Sequence, residues 1–293
     1  MSHSLDACVA GILRDPALPT FSSRIQELLA IGAEDHTAQR RARLVLQDYG
    51  LTLRILQCAN SFQYNRSHKP IDNVARAIVV MGVVELRNQA GALQPFAQFE
   101  KRSTPLRNLL LLSMLTALHA SAAADAEGVN RQEEAYLLGM LRNLGEVLVA
   151  CHWPETYAQI GEDPPGTVPG STALRVLGFS YESLARAVGE HWHLPPQILA
   201  LWSKTTGDAT DIVTALAQFG HDMTTVMYRR STGDQTSRLR LLRTQHGRRF
   251  GLTEDDILDV VDTAVEETQP LFAQLKVTID DIRIDSTRAN PAA

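Results

Sequence analysis

Cysteine is scarce: Cys8, Cys58 and Cys151 lie far apart and never in a C-x-x-C spacing. That argues against both a disulfide framework and a zinc knuckle, and a reducing cytoplasm is the expected compartment. The opening stretch, MSHSLDACVAGILRD, has no basic leader followed by an apolar core, and the longest apolar run, near 109 to 118, is interrupted by Ser113 and Thr116, with His119 just beyond it. No membrane span is expected. Convincing period-two alternation is missing, which speaks against a strand-built core. There is no G-x-S-x-G elbow, no GxxxxGK[ST] loop and no GxGxxG turn, so the common nucleophilic and phosphate-cradling architectures are absent. No repeat of fixed period emerges. A net charge of -5 argues against generic nucleic-acid binding while leaving room for a local basic patch.

What is present is helical spacing. Apolar residues recur three and four apart, as in Ile25, Leu28 and Leu29 or Leu51, Ile55 and Leu56, and this predicts an all-α protein. At 293 residues and 44% hydrophobic content, the chain can bury one large core or two lobes. Ser4, Ser22, Asp72 and Ser180 are expected helix caps, Pro105 suits a first helical position, and Thr253 with Asp256 resembles a capping box. Gly82, Gly178 and Gly251 are expected stops. GEDPPGTVPGS, 161 to 171, must be a loop or linker. The break around Pro95 and Pro105 is the better lobe boundary, giving lobes over 1–100 and 101–280 and a flexible tail over 281–293.

Candidate chemistry is sparse. His191 and His193 end a helix before Pro195 and Pro196, where a histidine commonly meets the last carbonyls. His221-Asp222 supplies at most two metal ligands, and a partly buried polar pair is the plainer reading. Cys58, on an apolar helical face, reads as a core thiol. Between 229 and 249 seven arginines, Arg229, Arg230, Arg238, Arg240, Arg243, Arg248 and Arg249, stand against the single acid Asp234. This is either a phosphate-binding face or one half of a hairpin neutralised by Glu254, Asp255, Asp256, Asp259, Asp262, Glu266 and Glu267. GMLRNLGEVLV, 139 to 149, reads as one amphipathic helix, with Leu137, Leu141, Leu144 and Leu148 inward and Arg142, Asn143 and Glu146 on the opposite side and its flanks.

A longer stretch, QDYGLTLRILQCANSFQYNRSHKPIDNVARAIVVMGVVELRN at 47 to 88, carries a set of spacings. They are Asp48 before Leu51-Thr52, then Ala59-Asn60-Ser61 with Tyr64, then Ile71. Ala77-Ile78, Gly82, Leu86 and Asn88 follow. Downstream come AYLLGMLRNLGEVLV and a Leu-Gly then Trp192-x-Leu-Pro195 segment. As a set these resemble the HDOD family of bacterial signalling domains over about residues 16 to 275.

The resemblance implies an N-terminal helical bundle packed on a lobe similar to HD phosphohydrolases. Those enzymes hold metal with His and Asp side chains, and the metal lowers the pKa of an attacking water. Here the position resembling the first helical His is Leu112, and the His-Asp pair is Arg142-Asn143. Tyr181 stands where a His often follows Leu-Gly, and Lys204, Thr205 and Thr206 where a His pair often lies. The final Asp position is Gln218, with Asp222 the other alignment. Leucine has no donor atom, and a guanidinium offers only N–H groups. The implied protein is non-catalytic, with no metal and no cofactor, acting through contacts with signalling proteins such as a sensor kinase, a response regulator or a cyclic-dinucleotide enzyme. The alternative is a nucleotide or cyclic-dinucleotide binding protein, or a residual phosphohydrolase, using Arg142 as a phosphate fork. A third reading is a nucleic-acid regulator acting through the arginine-rich segment.

Overall fold

The computed structural model describes residues 4–15, 18–20, 37–66, 69–96, 104–161, 170–203, 211–229, 235–246 and 249–275. Ser22, Lys204, Thr205, Thr206, Arg230, Arg248, the centre of the 161–171 linker and the 281–293 tail lie outside them. By compactness the chain divides into two units, each drawn from two stretches: Met1–Arg107 with Asn143–Lys204, and Asn108–Arg142 with Thr205–Ala293.

The protein is all-helical, as the spacing predicts. In the first unit α1 (Leu5–Arg14) starts at Ser4, whose hydroxyl accepts the Ala7 N–H. Then come α2 (Ala38–Leu46), α3 (Tyr49–Asn60), α4 (Val74–Met81) and α5 (Val83–Gly91). The bundle core is the apolar face of α3, with Leu51, Ile55, Leu56 and Ala59 wholly enclosed, packed on α2 and α4. The α4 cap is Asn73, not Asp72. Asn73 takes the Arg76 N–H on its side-chain oxygen, while Asp72 accepts from Gln197. Two adjacent capping residues look equivalent in sequence, and only the exact start of the helix separates them.

Alternation is missing for a reason: the described strands are two residues each. β1 (Pro19–Thr20) and β2 (Gln94–Pro95) run parallel, Pro19 opposite Gln94. The unit is completed by α8 (Leu144–His152), α9 (Pro154–Ile160), α10 (Ser171–Leu177), α11 (Tyr181–His191) and α12 (Pro196–Ala200). Gly178 ends α10 in the left-handed conformation (φ 85°), and Ser180 caps α11. Gly145 lets α8 press against the Tyr181 backbone, where any Cβ would overlap the carbonyl.

The second unit is built on α6 (Thr104–Ala126) from Asn108 onward. Its apolar window, Leu106–Ala126, is long enough to span a bilayer but is 72% buried inside the protein, the condition of a core helix apolar on every side. α7 (Gln132–Leu141) and α13 (Ile212–Thr224) pack on it, α15 (Glu254–Leu275) faces it, and α14 (Gln235–His246) packs on α13 and α15. Cβ atoms on Gly139 and Gly220 would lie 2.9 and 2.7 Å from the Thr116 carbonyl oxygen, so two helices cross α6 in near backbone contact. α15 opens with the expected capping box: Asp256 N–H donates to the Thr253 hydroxyl, and the Asp256 carboxylate accepts the Thr253 N–H. Between α13 and α14 the chain widens into a π-helix, Thr225–Arg229.

Candidate functional site

The stretch 139 to 149 is not one helix. α7 stops at Leu141, where the Arg142 N–H reaches back only three residues to the Gly139 carbonyl, and α8 restarts after Asn143 (φ -94°, ψ 16°). Leu137, Leu141, Leu144 and Leu148 are all buried, as the spacing requires, yet Asn143 is only 8% exposed rather than on an open polar side. Periodicity could not see the break because the apolar positions on either side of it stay in register. The close approaches of Gly139 and Gly145, each within its own unit, fix the two flanks independently.

Arg142 leads into a chain of polar side chains within the second unit. Its Nε donates to Gln218 Oε1 at 3.1 Å, and Gln218 Nε2 donates to Asp222 Oδ1 at 2.8 Å. The other Asp222 oxygen meets His246 Nε2 at 2.9 Å. The Arg142 contact fixes the amide of Gln218: its oxygen faces the guanidinium, so its NH₂ faces the carboxylate. Burial pushes the Asp222 carboxyl up, but His246, the nearby His221 and Gln218 together outweigh it and hold the group below the ordinary carboxylate range. His246 packs edge-on against Phe219 (5.2 Å) and is stacked over Phe250 (6.1 Å). The chain therefore ties the end of α7, one face of α13 and the last turn of α14 together. Leu112 is buried in α6, and Asn143 and Tyr181 belong to the first unit. Of the positions the resemblance aligns with metal ligands, Arg142 and Gln218 meet each other.

His119 does not join His221 and Asp222. It is wholly buried on α6, its Nδ1 2.9 Å from the Thr224 hydroxyl, with Tyr228 of the π-helix stacked at 6.1 Å. Thr224 gives its proton to the Gly220 carbonyl and Thr116 can give its own to Leu112. Nδ1 is then the donor to Thr224 and Nε2 is a buried lone pair. Burial drives the His119 pKa down to about 3, so the ring is neutral. Among the described residues, no three His, Cys, Asp or Glu side chains gather as metal ligands. The described residues at the aligned positions, Leu112, Arg142, Asn143, Tyr181 and Gln218, do not supply the His and Asp set that an HD metal centre uses.

In the first unit Asp48 caps α3. One carboxylate oxygen accepts the Leu51 N–H (2.8 Å) and the other the Thr20 hydroxyl (2.7 Å), which ties β1 to the helix. Asn60 pairs with Ile71 in both directions, donating to its carbonyl (2.8 Å) and accepting its N–H (2.9 Å). The Ser61 hydroxyl donates to the Cys58 carbonyl. Asn88 and Gln89 donate to Glu85, whose carboxyl they hold low. Desolvation, then Glu85, pushes the Tyr64 phenol up. Cys58 is half-buried, and desolvation raises its thiol pKa. Gly82 joins α4 to α5 at φ 79°, ψ 161°, outside the left-handed helical basin its sequence suggested and in a region essentially reserved for glycine. Trp192, buried, ends α11 in a Schellman motif. The Leu194 N–H reaches the Gly189 carbonyl, the His193 N–H reaches Glu190, and His193 adopts φ 56°. The His191 and His193 rings both meet backbone carbonyls at 2.8 Å, and Pro195 leads into α12.

Residues 16–206 match the HDOD domain family. The chain belongs to that family. An uncharacterized protein of Treponema pallidum (strain Nichols) is 23% identical over 199 residues, 67% of this chain and 38% of that protein, so the chain spans well under half of its curated relative. Among solved structures, the MmoQ response regulator of Methylococcus capsulatus str. Bath has 22% identity and a TM-score of 0.66, covering 84% of this chain and 98% of that one. A virulence factor of Campylobacter jejuni subsp. jejuni has 15% identity and a TM-score of 0.65, covering 90% and 96%. These two share the fold. Within the HDOD frame, Asp48, Asn60, Ser61 and Gly82 each serve the backbone, respectively as a cap, a clamp, a helix end and a reserved conformation. Sequence reasoning missed His246, which carried no signal beyond standing at the end of an arginine-rich helix.

Proposed function

We propose that this HDOD chain is a non-catalytic regulatory module that passes a bacterial sensory signal through contacts with other cytoplasmic proteins, the sensor kinases, response regulators or cyclic-dinucleotide enzymes of such systems. The observation that carries the reading is the polar chain Arg142–Gln218–Asp222–His246. Two of the positions where the resemblance places metal ligands are occupied by a guanidinium and an amide that hydrogen-bond to each other. A cation brought to Gln218 would meet the Arg142 charge instead of a ligand set. The nucleotide-binding alternative would have to use the Nη donors of Arg142, because its Nε is engaged by Gln218.

The test is metal analysis of the purified chain, followed by thermal shifts against divalent metals, nucleotides and cyclic dinucleotides. Neither bound metal nor a shift is expected. A ligand at a hundredfold its dissociation constant adds about 2.7 kcal/mol of stability, so a shift that vanishes in Arg142→Ala would replace this reading with the nucleotide one.

A further inference from the structure

The second unit carries a groove between two of its helices. α6 and α15 leave between them a hollow of about 390 Å³. Its walls are helical stripes, with Leu118, Ala122 and Asp125 on one side and Asp259, Val260 and Glu267 on the other. Leu118, Ala122 and Val260 give it an apolar floor beside the polar Ser121 and Thr263, and the three exposed carboxylates form its rim. An amphipathic helix with cationic flanks is the complementary shape and charge. The same unit presents such a helix on α14. Leu242 is turned fully inward, which leaves Leu241 49% exposed with the exposed Arg240 and Arg243 beside it.

We propose that α14 of a second copy docks in this groove, Leu241 on the apolar floor and Arg240 and Arg243 against the acidic rim. The proposal rests on the reading of the chain as a module that works through protein contacts. The contact is heterologous, groove to helix, so association grows with concentration into chains or rings. Salt weakens it, because its charges are on exposed rims.

Sedimentation velocity of the full chain over a concentration series, in low and high salt, tests this. Concentration-dependent association that salt reverses is expected. The pairs Asp259→Lys with Glu267→Lys, and Arg240→Glu with Arg243→Glu, should each weaken association roughly tenfold or more. Mixing the two doubly substituted proteins restores it, because each supplies the charge the other now needs. Asp262→Lys with Glu266→Lys changes the same charge on α15 outside the groove and leaves association intact. Circular dichroism melts of each variant check that it remains folded. A wild-type monomer at every concentration overturns the proposal and leaves the groove to a basic helix of another protein. Equal loss in the groove and off-groove variants, or no restoration on mixing, also overturns it. Hydrolase activity in the same preparation would instead sink the non-catalytic reading, whatever the association state.

Discussion

Asn60 and Ile71 behave as if a short piece of sheet had been made from one side chain and one backbone unit. Asn60→Ala strands a buried N–H and carbonyl at Ile71 and should cost roughly 1–3 kcal/mol in urea denaturation. Gly82 makes a different demand. A Cβ there meets nothing within 4 Å, so space is not the constraint; the φ of 79° with ψ of 161° is. Gly82→Ala should therefore cost about 1–3 kcal/mol through backbone strain alone, and an unchanged unfolding midpoint would refute that. Both positions were legible as parts of a family pattern. Their structural roles were not, because a spacing does not reveal that Asn60 pairs with Ile71 or that Gly82 lies outside the left-handed basin.

Helices were the readable level. The caps at Ser4 and Ser180 and the Thr253-Asp256 box stand where the sequence placed them, since a short polar side chain satisfies the first free N–H groups locally. The break at Arg142-Asn143 was not readable, and neither was the π-helix after Thr224. Neither interrupts the apolar spacing, which is the signal a sequence offers. The glycine crossings on α6 are the clearest case. Gly139→Ala or Gly220→Ala pushes a Cβ into the Thr116 carbonyl, with no flexible side chain to give way. Each should destabilise the protein by about 1–3 kcal/mol or more, measured by thermal unfolding, while Gly91→Ala, which meets nothing within 4 Å, should be tolerated.

At the scale of the molecule, one buried group and one half-buried group set an acid limit. His119 is held neutral, with its pKa lowered to about 3, so an unfolded chain binds a proton near pH 6.5 that the folded one refuses. The stability this gives is complete above pH 6.5 and falls by about 1.4 kcal/mol per pH unit as pH drops toward 3. Asp222, also lowered, adds its loss below the ordinary carboxylate range. His119→Asn should flatten the slope between pH 6.5 and 4 in chemical denaturation; an unchanged slope would remove His119 from the account. The family was legible from one N-terminal stretch. The state of the positions that the resemblance aligns with metal ligands required seeing Arg142 joined to Gln218, Asp222 and His246 across three helices, a relation between residues about a hundred positions apart. The most direct test of the central claim is hydrolysis of phosphomonoesters and cyclic dinucleotides by the full chain, with manganese, magnesium, zinc or iron supplied. The account predicts no metal-dependent turnover above buffer; turnover that requires the metal and saturates with substrate would contradict it.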